Sequence, residues 1–454
     1  MPTQFDPPSG TRDFLARDWE FRERAFGRIR SVFTRYGFEP LATPAFERLD
    51  VLLGKYGDEG DKLIFKILRR GEHEGTGEAD LALRYDLTVP LARVAAAYGS
   101  QLPTPYKRYA MGPVWRADRP GRGRYREFTQ CDLDTLGSQS VMADAEIVSA
   151  VHDAIAELGV TGFRFLLNSR RVLAGLLEGF GVPADLGPGV LISLDKLDKL
   201  TTPEVIAELS GRGLDEAKAA DLVGAMTADN AAEQIRDALK TSDEGSAGLA
   251  EVDALLSLLA GQVPEGRIAF TPRLVRGLSY YTGPIWEVVA DGATSSIASG
   301  GRYDHLIEQL GGPDVPATGG SLGVERILLL LPDPEGEHSR LDVAVTVMDE
   351  RYAPRSFSFA AAAREAGLRA SVYLGSSGKL GRQLKWASDQ GARWALIYGT
   401  KEDEAGAVTV RDMTTGDQAA VPASELTGYL AGLADAAEQP DRPENRLSLP
   451  PASP

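Results

Sequence analysis

Cysteine is almost missing from this chain. Cys131 is the only one in 454 residues, so no disulfide can close within the chain, which fits a reducing compartment and an expected cytoplasmic location. Histidine is scarce as well. His73, His152, His305 and His338 have no metal-ligand spacing with one another or with Cys131, so no structural metal is expected. Long apolar runs are lacking: the longest, near 327–332, is far too short to span a bilayer. The opening Met-Pro-Thr-Gln-Phe-Asp-Pro-Pro has neither a basic region nor an apolar stretch, so no secretory signal is expected there. An excess of positive charge is absent too. Lys and Arg number 49 against 65 Asp and Glu, for a net charge of −16. That weighs against a nonspecific nucleic-acid binder, while a specific one needs only local basic islands. No Walker-type loop and no Ser-His-Asp or Cys-His arrangement is visible.

What is present is enough apolar content, 43%, for packed domains, and a length that implies two or three of them. The densest chemistry runs from Arg116 to Gly137. Arg116, Arg119, Arg122, Arg124 and Arg126 fall within eleven residues, and Gln130, Asp132 and Asp134 then alternate. On a strand those three side chains share one face. The segment therefore reads as strand, basic loop, strand: a hairpin that grips an anion. Arginine forks suit phosphate and carboxylate oxygens. Lys379, Arg382, Lys385 and Arg393 form a second basic island.

Residues 17–36 predict an amphipathic helix, with Phe26, Ile29, Phe33 and Tyr36 at helical spacing. Leu41 to Phe46 reads as extended, and residues 80–137 as strands and loops. Helix is predicted over 140–158 and strand over 163–167. Residues 170–262, rich in Leu, Ala, Asp and Glu, read as a mainly helical insertion before strand character returns over 267–289. Residues 331–337 have linker composition. Beyond them, strands are predicted over 342–347, 370–374, 394–398 and 408–412, with helices over 359–367 and 380–390. That alternation implies a small mixed or parallel sheet covered by helices. From about 435 the chain carries repeated Pro, Asp, Glu and Ser, and a disordered tail is expected over 435–454.

Residues 116–137 resemble motif 2 of the class II aminoacyl-tRNA synthetases, in the form found in the histidyl-tRNA synthetase family. Pro8-Ser9-Gly10-Thr11-Arg12-Asp13 is similar to the family's opening, and Leu83 to Pro90 to its amino-acid-binding segment. Arg273 to Gly283, with its Arg-Gly-Leu-x-Tyr-Tyr core, resembles the segment peculiar to the histidine type. Gly300-Gly301-Arg302-Tyr303-Asp304 and Gly319 to Arg326 resemble the glycine-rich turn and motif 3. The resemblance covers roughly residues 8 to 430. It implies an α+β fold: an antiparallel sheet flanked by helices over 1–335, interrupted by the helical insertion of about 170–262, then a small α/β anticodon-binding domain over 340–432. Pro44 stands where the motif 1 proline does, which implies a homodimer built on the first helix and the strand after it.

The resemblance also implies a reaction. Histidine attacks the α-phosphate of ATP, which arrives with Mg2+, and the acyl group then passes to tRNA. It puts Arg116 and Arg276 at the reacting phosphate, with Arg276 standing where other class II enzymes use a metal. ATP falls to Arg116, Glu127, Gly323 and Arg326. The amino acid falls to Asp86, Thr88, Gln130, Asp134, Arg276, Tyr280 and Tyr281, and the tRNA acceptor end to Arg122 and Arg124. Four residues depart from the family's pattern: Ser279 for aspartate, Ser299 for alanine, His305 for a small residue and Gly320 for a bulky apolar one. They keep two alternatives open. One is a paralogue activating a different or histidine-like amino acid for a non-tRNA acceptor, the other a non-catalytic regulatory relative.

Overall fold

The computed structural model describes residues 5–73, 75–197, 199–275, 280–332 and 341–438. The chain divides into two units, Met1–Asp333 and Pro334–Pro454. The first begins with α1 (Ala16–Arg35), whose Phe26, Ile29, Val32 and Phe33 are buried. Asp18 in its first turn and Arg35 in its last both complement the helix dipole. Short strands β1 (Glu39–Pro40) and β2 (Phe46–Arg48) follow, then short helices α2 (Leu49–Leu52) and α3 (Gly57–Asp61), then strands β3 (Lys66–Leu68) and β4 (Ala79–Leu83). The order β2-β4-β3 makes a small antiparallel sheet.

Residues 88–98, expected to be strand or loop, form a helix, α4 (Thr88–Tyr98). The reason is visible in its buried face: Val89, Leu91, Ala92, Val94 and Ala95 point inward, and Pro90 sits in the first turn, where a missing N–H costs nothing. The long hairpin β5 (Tyr106–Trp115) and β6 (Glu127–Leu136) comes next. Helix α5 (Val141–Glu157) is N-capped by Ser140, whose hydroxyl accepts from Met142 N at 3.2 Å.

Strand β7 (Phe163–Ser169) leads into the insertion, α6 (Arg170–Gly179), α7 (Gly187–Leu194), α8 (Thr202–Gly211), α9 (Glu216–Thr227), α10 (Ala231–Ala238) and α11 (Asp243–Leu259). The chain re-enters the sheet as β8 (Ile268–Phe270), parallel to β7. Parallel neighbours need a long crossover, and the helices supply it. Leu194, Val205, Leu222 and Leu255 belong to the same apolar core as Phe165 and Trp286 of the sheet, so the insertion is packed on the sheet. Strands β9 (Pro284–Ala290), β10 (Ala298–Arg302) and β11 (Ala317–Gly323), then α12 (Val324–Leu328), complete the unit. The large sheet runs β1-β5-β6-β11-β10-β9-β7-β8, antiparallel except at its two edges.

The second unit contains β12 (Val343–Val345), α13 (Ala353–Glu365), β13 (Ala370–Val372), α14 (Leu380–Asp389), β14 (Trp394–Ile397), α15 (Thr400–Ala405), β15 (Ala407–Asp412), β16 (Gln418–Pro422) and α16 (Leu426–Glu438). Its sheet order is β13-β12-β14-β15-β16. The first three strands are parallel and the last two join antiparallel, so the expected mixed sheet is realised. Helix α13 starts six residues before the expected 359, because Pro354 takes an early helical position. The strand β16 and helix α16 were not anticipated. Residues 435–438, assigned to a disordered tail, end α16. The rest of that tail, 439–454, and most of the linker lie outside the described residues.

Candidate active site

A cavity of about 260 Å³ opens over the middle of the large sheet, between β6, β10 and β11 and the loops around Asp86 and Tyr280. Strand alternation explains its floor. Even-numbered residues of β6 share the face toward it: Phe128, Gln130 and Asp134 line the cavity, Asp132 on the same face is buried and does not, and Glu127 is exposed and does not. The antiparallel register sets Gly323 against Gln130, Ser321 against Asp132 and Gly319 against Asp134. Side chains of two strands therefore meet across one hydrogen-bonded ladder.

One half of the cavity is lined by guanidinium groups. Arg116 lies 4.2 Å over the Tyr85 ring and 5.1 Å from that of Phe128, and its Nε donates to Tyr85 O at 3.1 Å. Arg326 donates from Nη1 to Ser296 O at 2.7 Å and from Nε to Gly123 O at 3.3 Å. Arg124 reaches Asp118 at 2.7 Å. Arg122 is exposed and does not line the cavity. Behind this half, Glu325 receives Arg22 at 2.8 Å from both terminal nitrogens, and Arg12 as well. Burial alone would raise Glu325, but Arg22 and Arg12 outweigh it and hold the carboxyl below its ordinary range. Arg12 also stacks 3.5 Å over Tyr125 of the basic loop. The family-like opening, the motif 2 loop and motif 3 are thus tied to one another.

The other half is lined by carboxylates, and all of them are buried. Asp86 Oδ1 accepts from Val89 N at 3.0 Å and from the Tyr56 hydroxyl at 3.1 Å. Asp134 accepts from the Tyr303 hydroxyl and pairs with Arg108 at 2.8 Å. Burial raises both carboxyls. Val89 N–H and Arg116 oppose the rise at Asp86; Arg108 and Tyr303 oppose it at Asp134. Arg108 is fully buried and also donates to Leu87 O at 3.0 Å. Asp132, between Gln130 and Asp134, is pushed up to about 7 by burial, with Arg108 opposing and Asp134 adding. Thr88, Tyr280 and Tyr281 line the same cavity. The two tyrosine rings lie 4.9 Å apart, and Tyr280 meets Tyr303 edge-on at 5.9 Å.

Of the site residues expected from the sequence, Asp86, Thr88, Arg116, Arg124, Gln130, Asp134, Tyr280, Tyr281, Gly323 and Arg326 share this cavity. Arg276 and Ser279 lie outside the described residues. Several contributors had gone unremarked: Tyr85, Arg108, Tyr303, Ser321 and Glu325. Tyr85, Tyr303, Ser321 and Glu325 lie inside family-like segments and could have been found there. Arg108 gives no signal, because it is one lysine- and tyrosine-flanked arginine in a strand. The departures also have places. Ser299 and Gly320 line the cavity. A Cβ on Gly320 would sit 2.5 Å from the Trp286 ring, and Trp286 is fully buried, so the indole fills the space that a larger residue at 320 would take. A Cβ on Gly319 would lie 1.9 Å from Asp134 Oδ1, which requires glycine there. His305 is exposed and does not line the cavity. With Glu308 and Asp314 it forms a trio whose ligand atoms lie within 4.8 Å of one another, a grouping that histidine and cysteine spacings did not reveal.

Residues 10–327 match the family model described as Histidyl-tRNA synthetase, and residues 342–433 the model described as Anticodon binding domain. A histidine–tRNA ligase of Paracoccus denitrificans is 41% identical over 458 residues, covering 92% of each chain. One of Gloeobacter violaceus is 39% identical, covering 93% of this chain and 97% of that one. Among solved structures, the histidyl-tRNA synthetase of a Nostoc species aligns with a TM-score of 0.74 at 26% identity, over 95% of this chain and all (100%) of that one. The apo enzyme of S. aureus aligns with a TM-score of 0.68 at 25% identity, over 94% of this chain and 100% of that one.

Proposed function

The chain belongs to the histidyl-tRNA synthetase family, and from that premise we propose how the two halves of its cavity divide the work of charging tRNA with histidine. In the first step a carboxylate oxygen of histidine forms a bond to the α-phosphorus of ATP, and the bond to pyrophosphate breaks. In the second, the 3′-terminal ribose hydroxyl of tRNA takes the acyl group and AMP leaves. The first transition state gathers negative charge around one phosphorus, so fixed cations lower its barrier and little covalent chemistry is asked of the protein.

Arg116 is assigned to that phosphate. Its planar fork is held between Tyr85 and Phe128, and its Nε is already engaged, which leaves the terminal nitrogens for an anion. Arg326 and Gly323 take the nucleotide, and Mg2+ enters with ATP as part of that substrate. Arg276 is assigned to the bridge between substrate carboxylate and phosphate; support comes from its motif, flanked by buried Val275 and cavity-lining Tyr280. Glu127, exposed at the start of β6, is assigned to the adenine side of the nucleotide.

On the other half, Asp86 and Thr88 receive the α-ammonium, and Asp134 with Tyr281 receives the imidazole. A buried carboxylate already braced by Arg108 and Tyr303 rejects side chains that leave it unpaired. Arg122 and Arg124 meet the acceptor end of tRNA, and the second unit meets the anticodon. The proposal includes a homodimer, supported by the exposed Trp19 of α1 and Phe46 of β2 near the motif 1-like segment, and a cytoplasmic location.

One observation carries this reading: a single cavity joins the guanidinium groups of motifs 2 and 3 to buried carboxylates on the same sheet. Pyrophosphate exchange with a panel of amino acids tests it. Exchange that depends on histidine alone is expected; exchange driven by another amino acid, or none, rejects it.

A further inference from the structure

Asp132 lies on the same strand face as Gln130 and Asp134, and the functional reading gives it no task. It is 1% exposed, and its Oδ2 has no hydrogen-bond partner among the described residues. The groups that face it come from every element around it. Strand β5 contributes Arg108, β6 Asp134 and Gln130, β11 Ser321, and the segment before α4 Arg84 and Asp86. Cys131, its neighbour in the chain, is buried and its thiol is pushed well up, first by burial and then by Asp132.

Three of these groups form a chain. Gln130 Nε2 donates to Ser321 Oγ at 2.8 Å and lies 3.5 Å from Asp132 Oδ1. Ser321 stands opposite Asp132 in the β6–β11 register and works against the rise that burial imposes on the Asp132 carboxyl. Gln130 Oε1 has no hydrogen-bond partner among the described residues. The donor and acceptor rules then favour one setting when Asp132 is ionised. An ionised carboxylate only accepts, so Ser321 gives its hydroxyl proton to Asp132 and takes one from the Gln130 amide. That holds the Gln130 oxygen as the free end. A protonated Asp132 can donate to Ser321 instead, whose proton then turns toward Gln130. The carboxamide can then offer its oxygen to Ser321, which leaves its NH2 as the free end.

We propose that Asp132 is a positioning residue: acting through Ser321, it keeps the oxygen of the Gln130 carboxamide available for the ammonium group of the amino-acid substrate, and protonation of Asp132 reverses that setting. The inference rests on the histidine-activating function proposed above and adds a residue to it. Two effects act in one direction. Reversal swaps an acceptor for a donor beside a cation, and protonation removes a nearby negative charge. The pKa of about 7 for Asp132 puts the change in the physiological range, with the substrate-ready setting above it and the reversed setting below.

The test is histidine-dependent pyrophosphate exchange by the full chain from about pH 6 to about pH 8.5, comparing wild type with Asp132→Asn and Ser321→Ala. The imidazole of free histidine titrates in the same range but is common to all three proteins, so the ratio of variant to wild-type KM is the readout. At about pH 8.5 the histidine KM of Asp132→Asn should be about tenfold above wild type, with kcat changed far less. The ratio should fall toward one near pH 6, where wild-type Asp132 is itself neutral. Ser321→Ala should show the same convergence, and it keeps the test decisive if Asp132→Asn does not fold. A ratio that stays constant with pH, or a loss confined to kcat, overturns the inference while leaving the functional reading intact. Wild-type protein without histidine-dependent exchange overturns both.

Discussion

The two halves of the cavity handle charge in opposite ways. On the carboxylate side, Asp86, Asp132 and Asp134 are each at least nine-tenths buried, and the fully buried Arg108 is the cation beside Asp132 and Asp134. On the guanidinium side, Arg116 and Arg326 rest on carbonyls and aromatic faces, and Arg124 is exposed. The first arrangement is buried and braced before any ligand arrives, so it selects by what it refuses. The second keeps positive charge ready for an anion, so it works on whatever phosphate is presented. Discrimination and rate enhancement are thereby housed in different physics within one hollow.

Four substitutions bear on that contrast. The largest effect is expected from Arg108→Met. Removing one member of a buried ion pair strands Asp134 and Asp132, at a cost of about 3–5 kcal/mol, read as a lowered denaturant midpoint. Histidine binding should fail along with stability, which would show that the carboxylate side is a folding element as well as a recognition one. Arg116→Ala should cost about 100- to 1000-fold in exchange rate with an unchanged melting temperature. A large loss of stability there would erase the distinction drawn between the halves.

Glu325 supplies a pH-dependent comparison. Its folded pKa is depressed, so its contribution is present above the ordinary carboxylate range and is lost as pH falls through the folded value. Glu325→Gln should therefore be less stable than wild type by about 1–3 kcal/mol near neutrality, and the two unfolding curves should converge in acid. The smallest effect belongs to Arg122→Ala. Exchange should be unaffected, while the salt dependence of tRNA binding should weaken by about one counterion or less. A loss of exchange would mean that the exposed loop closes over the nucleotide.

Legibility differed between the halves for the same reason that their physics does. The alternation of Gln130, Asp132 and Asp134 is a local pattern, and a strand turns it into a shared face without help from the rest of the chain. The arginine-rich loop is equally local. The brace behind the carboxylates is not. Arg108, Tyr303 and Ser321 reach Asp132 and Asp134 across the fold; Tyr303 and Ser321 sit in family-like segments that do not show what they touch, and nothing in the neighbourhood of Arg108 marks it. Helix α4 was misread because a short apolar run after Pro90 carries little periodicity, and its inward face is set by the elements packed on it. The coupling of Gly320 to Trp286 is likewise a long-range fact, invisible where residue 320 is read alone.

That coupling constrains the routes by which this cavity can change. A bulky residue cannot be added at 320 while the indole stands at 286, since the two volumes overlap and overpacking strains the sheet. Shrinking residue 286 first opens a void, at a cost of about 3–5 kcal/mol for a buried tryptophan. Neither single step is cheap, so the pair is expected to persist or to be exchanged together. Any redesign of substrate preference at this wall has two interdependent positions to alter, not one.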